Sequence, residues 1–232
     1  MKYCANLLAI LMVTCIMSSP VSALPITYEF GGAITSVSPA LSSSFAVGEA
    51  VSVSFSAEPP ASFSATDLSN YPMTSFSARV GSQDYTLNPV ATGFSLVSVL
   101  DGPSRDGFGV FPIVDGASLA GLVPYQLEVS LIDFTRSAFT STALPTALSL
   151  SDFSLRLGKL TFCQTRTITA NSAGCAFTET VQFSVTSARV TQQEISTPEP
   201  ASVGLIMLGL AGAGWSRRRL TNGGARLAAT GC

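Results

Sequence analysis

The chain contains no histidine in 232 residues, so it cannot build a Ser-His-Asp or Cys-His triad, a histidine general base or a histidine zinc site. Carboxylates are the main chemistry left. Glycosidases work with two acids roughly 5 to 10 Å apart, and Glu128 with Asp133, or Glu179, could supply such a pair. All 14 acidic residues except Glu199 lie between positions 24 and 196, and so many acids offer such pairs by chance. A Ser-Lys dyad would have to use Lys159, which stands in Arg156-Leu157-Gly158-Lys159-Leu160 and reads as a solvated strand residue. No G-x-S-x-G elbow, phosphate-binding loop or dinucleotide fingerprint is present. The side chains point away from an enzyme, and no cofactor is expected.

Asp101-Gly102-Pro103-Ser104-Arg105-Asp106-Gly107 places two carboxylates five apart in a glycine-rich loop, the kind of oxygen-donating turn that calcium accepts. The acid at the third position and the closing glutamate of an EF-hand are missing, and Arg105 would oppose a cation. An Asp-Gly turn between strands is ordinary. Asp101 and Asp106 are therefore weak metal candidates, and the structural reading is preferred. Sugar recognition would want aromatic platforms. Trp215 is the one tryptophan and lies outside the body; Tyr28, Tyr71, Tyr85 and Tyr125 could stack on a sugar, or simply pack.

The body that would position these groups reads as short strands joined by polar turns. Ile26 to Phe30 and Val51 to Phe55 carry apolar residues at every second position, the period of a half-buried strand. Similar runs cover 75–80, 83–87, 93–100, 107–111, 125–133, 153–162 and 176–190. Turn formers separate them at Ala46 to Glu49, Glu58-Pro59-Pro60, Asn88-Pro89, Asp101-Gly102-Pro103 and Asp115-Gly116. The fold class expected is all-β, an antiparallel β-sandwich of jelly-roll or Ig-like type. At most a short helical turn is expected, near Leu148 to Phe153 or in Asp67 to Tyr71.

Both ends look like processing signals. Lys2 begins a positive n-region, Leu7 to Met17 form an apolar core, and Val21-Ser22-Ala23 is a small-residue cleavage site, so a signal helix cut between Ala23 and Leu24 is expected. At the other end Pro198-Glu199-Pro200 cannot continue a helix. It precedes the uncharged run Ala201 to Trp215 and the basic stop Arg217-Arg218-Arg219. Fifteen residues make about 22 Å of helix, short of the ~30 Å hydrocarbon core. The flanking prolines and arginines nevertheless favour a C-terminal transmembrane helix with the body outside. The domains expected are 1–23, a signal peptide; 24–196, a β-sandwich; 197–219, an anchor segment; and 220–232, a short polar tail.

With the ends set aside, Cys163 and Cys175 are the only cysteines of the exported body, and they are the expected disulfide. A metal site on two lone sulfurs is the weaker alternative. The 47% hydrophobic and 11% charged composition is then largely an effect of the two ends. Seven basic residues against thirteen acidic ones give the body a net charge of 7 − 13 = −6, which argues against nucleic acid.

Pro198-Glu199-Pro200, the glycine-rich apolar run and the arginine cluster, in that order and spacing, resemble the PEP-CTERM sorting signal of exported bacterial proteins. The resemblance implies several things. An exosortase-type enzyme would be the processing partner, after the secretion machinery and the inner membrane of a Gram-negative bacterium. The protein would be anchored briefly with its body in the periplasm, then delivered to the cell surface or extracellular matrix, in association with exopolysaccharide and biofilm. The leading expectation is a structural or interaction protein. The alternative is a carbohydrate-binding β-sandwich, assisted by calcium.

Overall fold

The computed structural model describes residues 24–169 and 172–192. The chain divides into two units, Met1–Gln193 and Glu194–Cys232, and every described residue belongs to the first. The expected signal helix and C-terminal transmembrane helix fall outside the described residues. Among the residues described, no helix is long and apolar enough to cross a membrane.

Eleven strands follow one another: β1 (Ile26–Val37), β2 (Ala50–Ala57), β3 (Phe63–Ser64), β4 (Leu68–Val80), β5 (Gln83–Leu87), β6 (Leu96–Asp101), β7 (Asp106–Phe111), β8 (Val114–Gly116), β9 (Val123–Asp133), β10 (Leu155–Thr169) and β11 (Ser172–Gln192). The alternating runs of the sequence are these strands, so the all-β, antiparallel expectation holds. A 3-10 turn at Leu150–Asp152 sits where a helical turn is predicted, and two more occur at Pro39–Leu41 and Thr92–Phe94.

Two local expectations fail for tertiary reasons. The segment from Asp67 to Tyr71 is not helical: β4 starts at Leu68 and turns Ser69 and Tyr71 inward, where their hydroxyls find partners across the fold. Asp115-Gly116 is not a turn but part of β8, paired with β5. Any Cβ at Gly116 would lie 2.6 Å from the Tyr85 ring, so only glycine lets the two strands pair at this point.

The strands do not fall into two separately bonded sheets, as a jelly-roll or Ig-like sandwich would require. Pairing runs β2, β1, β11, β10, β9, β7, β6, β4, and β4 pairs β2 again, so the ladder returns on itself. The closing element is β4. Its first residues, Leu68 to Pro72, bond to β6, and the rest, Met73 to Val80, bond to β2. A closed ladder is the connectivity of a barrel, whose interior must be filled by the inward half of every strand. Here it is filled. Val51, Val53, Phe55 and Ala57 of β2 are buried while Ser52 is exposed and Ser54 and Ser56 are half-buried.

Four aromatic rings meet near the centre. Tyr28 stacks on Phe55 with centroids 5.1 Å apart and lies 5.2 Å from Phe108, while Phe30 lies 5.9 Å from Phe55 and 6.2 Å from Phe108. Such pairs add about 0.5–1.5 kcal/mol beyond area burial. Burial, with a smaller contribution from Tyr71, pushes the Tyr28 phenol well above its ordinary value. Its hydroxyl stays neutral and donates to the Pro145 carbonyl at 2.8 Å.

Cys163 and Cys175 are joined, as expected, with Cα atoms 5.4 Å apart. The register places Thr178 opposite Cys163 and Arg166 opposite Cys175, and the Gln164–Phe177 rung between them is missing. Phe177 takes a left-handed φ of 55° there, which lets the two strands bend until the cysteines meet. Closing the loop of 12 residues is worth about 3 kcal/mol in the chain-entropy view. Beside it, Arg166 donates to the carbonyls of Val114 and Pro124 and to Asp115 Oδ1 at 2.9, 2.7 and 2.9 Å, tying this hairpin to β8 and β9.

Candidate functional site

The carboxylates that the sequence offers as a catalytic pair are not brought together. Glu128 and Asp133 share β9 but differ by an odd number of positions, so they face opposite sides of the sheet. At about 3.4 Å per residue they lie roughly 17 Å apart along the strand. Glu128 is on the outer face, bound by Lys159 Nζ at 3.0 Å and by the Ser130 hydroxyl at 2.9 Å. That ion pair also accounts for Lys159. Glu179 lies on β11, opposite Phe162 of β10. Tyr28, Tyr85 and Tyr71 are 0%, 1% and 6% exposed, so three of the four tyrosines named as sugar platforms pack inside instead. Burial also raises the Tyr85 phenol.

The register assembles a different acidic group. Asp101 faces Asp106 across β6 and β7, and Asp106 faces Asp133 across β7 and β9. On the other side, Asp101 N–H donates to the Asp67 carbonyl at 2.9 Å, one step beyond the Leu68–Leu100 pair of β4 and β6. Directly opposed residues share a face, so four aspartates stand in one inward row at one end of the ring. Asp106 and Asp133 are 0% and 1% exposed. Among the described residues no lysine or arginine forms an ion pair with any of the four.

Asp133 is fully satisfied by the segment that follows it. Its Oδ1 accepts from the Thr135 N–H at 2.7 Å and the Thr135 hydroxyl at 2.6 Å. Its Oδ2 accepts from the N–H groups of Ser137 and Ala138 at 2.7 and 3.1 Å and from the Ser137 hydroxyl at 3.2 Å. Arg136, in the bend, has a φ of 64°, a conformation non-glycine residues seldom take. The chain then crosses the end of the ring as a strap. Phe139 N–H donates to Asp106 Oδ2 at 3.0 Å, the Tyr71 hydroxyl to the Thr142 carbonyl at 2.7 Å, and the Ser69 hydroxyl to that of Thr142 at 2.9 Å. Leu144 goes down into the core.

The Thr135 hydroxyl first, then the Ser137 N–H, hold the Asp133 carboxyl well below the usual carboxylate range, with burial opposing them. A lowered folded pKa contributes stability that is present above the unfolded value, about 4, and is lost as pH falls below it. Asp133→Asn is therefore expected to lower the melting temperature at pH 7, with the gap to wild type narrowing as pH is taken from 5 to 2. Parallel melting curves over that range would show that the strap does not depend on this charge.

Asp67 and Asp133 carry roles that the sequence did not disclose. For Asp133 a signal existed: Asp133-Phe134-Thr135-Arg136-Ser137 has the acid, then hydroxyls two and four residues on, of a side chain capping its own turn. Asp67 had none, because its place in the row depends on strand register alone. The remaining predicted site residues, Ala23, Pro198, Glu199, Pro200, Arg217, Arg218 and Arg219, lie outside the described residues, and Leu24 precedes β1.

No curated protein and no solved structure matches the chain. A match does exist for the segment after the strands: residues 196–219 fit the family model of the PEP-CTERM protein-sorting motif, and the chain is thus one that carries a PEP-CTERM sorting domain.

Proposed function

We propose that this is an exported structural or interaction protein, held for a time by its apolar C-terminal run, processed beside Pro198-Glu199-Pro200, and retained at the cell surface or in the extracellular matrix in contact with exopolysaccharide. The observation that carries the reading is the sorting motif at 196–219, which implies sorting by exosortase to the cell surface. A non-catalytic role for the body is supported by how its polar groups are used. Glu128 and Lys159 pair with each other on the outer face, and Asp133 caps its own turn on the inner one, so these acids are not gathered at one centre where an acid and a base could act together. The disulfide suits an oxidising compartment.

The matrix role is tested by fractionation. In a host unable to make exopolysaccharide, the protein should move from the cell-associated pellet to the medium, at equal total amount. An unchanged distribution would remove exopolysaccharide from the proposal and leave the sorting step standing. No observation favours the carbohydrate-binding reading, since the tyrosines it would rely on are mostly interior.

A further inference from the structure

We infer that the aspartate row at the strapped end of the ring binds a divalent cation of the calcium class, centred between Asp101 and Asp106. The sequence alone leaves these two residues as an ordinary hairpin turn, and three structural features change that. First, the register sets them directly opposite each other on the inward face, where Cβ atoms stand about 4.5–5.5 Å apart. Second, Arg105, the residue that argued against a cation, alternates to the opposite face, where it borders a groove formed with Leu100, Gly107 and Ile132. It leaves the inward carboxylates unneutralised.

The third feature is an orphaned atom. Asp106 is 0% exposed, its Oδ2 accepts from the Phe139 N–H, and its Oδ1 has no hydrogen-bond partner. Leaving a buried carboxylate oxygen unmatched is costly, more so than a neutral group. Its neighbour Asp133 cannot help, because five donor contacts already fill both of its oxygens. Asp101 adds a second negative charge on one side and Asp67 a third beyond it. A cation is what such an arrangement lacks.

The ligand chemistry favours calcium over zinc or magnesium. All candidate donors are oxygens, which excludes the sulfur and nitrogen preferences of zinc. The two carboxylates come from paired strands, and an irregular oxygen shell around them suits the variable six- to eightfold coordination of calcium, whereas magnesium demands a near-ideal octahedron. Among the described residues no group of three or more histidine, cysteine, aspartate or glutamate side chains is placed to hold a metal ion. The site is therefore built on two carboxylates, with main-chain carbonyls and water completing the shell. Few charged ligands place it in the weak class of extracellular modules, with Kd about 10⁻⁴ to 10⁻³ M. Such a site is filled only outside the cell, so its occupancy rests on the export reading.

The test uses the full chain purified in detergent, with calcium chloride as the probe and ionic strength held constant. Against chelator, 5 mM calcium should raise the melting temperature by about 3 °C, and 5 mM magnesium should not. Asp101→Asn, at a half-exposed position, should melt like wild type in chelator and lose the calcium response. Asp106→Asn replaces the orphaned charge by a neutral amide, so it should also lose the response even if its own melting point shifts. No rise in wild type, an equal rise with magnesium, or an undiminished rise in Asp101→Asn would each overturn the proposal. Failure of the calcium test with normal surface delivery would leave the proposed function untouched.

Discussion

Replacing Pro198, Glu199 and Pro200 together by alanine is expected to leave the protein in the inner membrane with its C-terminal segment attached, visible as a heavier band in membrane fractions and by intact-mass measurement. The reason is conformational as well as chemical. Each proline lacks an N–H and fixes φ, which disfavours a helix at these positions. Three alanines are among the best helix formers, so the substitution removes that bias. A processing enzyme would lose both the proline pair and the one carboxylate it could read. Losing as little as about 1.4 kcal/mol of recognition reduces processing tenfold. Equal release of wild type and variant would show that residues 197–200 are only a spacer.

Why so much of this protein could be read in advance, and why the rest could not, follows from the range of each interaction. The sorting motif is a linear address, so order and spacing suffice. Strands such as Val51 to Phe55 announce themselves because serines stand between the buried residues. The disulfide followed from counting, since only Cys163 and Cys175 lie in the body. Closure of the ladder left no local trace. It depends on β4 changing partner from β6 to β2 between Pro72 and Met73, a choice made by residues up to 32 positions away, as in the pair Leu68 with Leu100. The aspartate row is hidden for the same reason: Asp67, Asp101, Asp106 and Asp133 align only once three strand registers are fixed.

Closure makes a second strong demand, on the interior. Phe108→Ala is expected to destabilise the body by about 3–5 kcal/mol, a large share of the ~5–15 kcal/mol that holds an ordinary domain together. Phe108 is 1% exposed and projects from β7 toward Tyr28 and Phe30 of β1 and Phe55 of β2, with centroids 5.2, 6.2 and 6.4 Å away. In the order of pairing, β7 and β1 are separated by β9, β10 and β11 on one side and by β6, β4 and β2 on the other. The ring contacts therefore bridge opposite arcs. Truncation would open an apolar cavity that water does not stabilise, and the surrounding backbone, bonded on both sides of each strand, cannot move in to fill it. Phe63, 53% exposed on the short strand β3, is the internal control, and its alanine variant should cost under about 1 kcal/mol. Urea unfolding with the disulfide intact measures both, and the midpoint should fall for Phe108→Ala with an unchanged slope. A cost near that of Phe63→Ala would mean that the opposite arcs do not depend on a shared core, and the closed ladder would then be held by its hydrogen bonds alone.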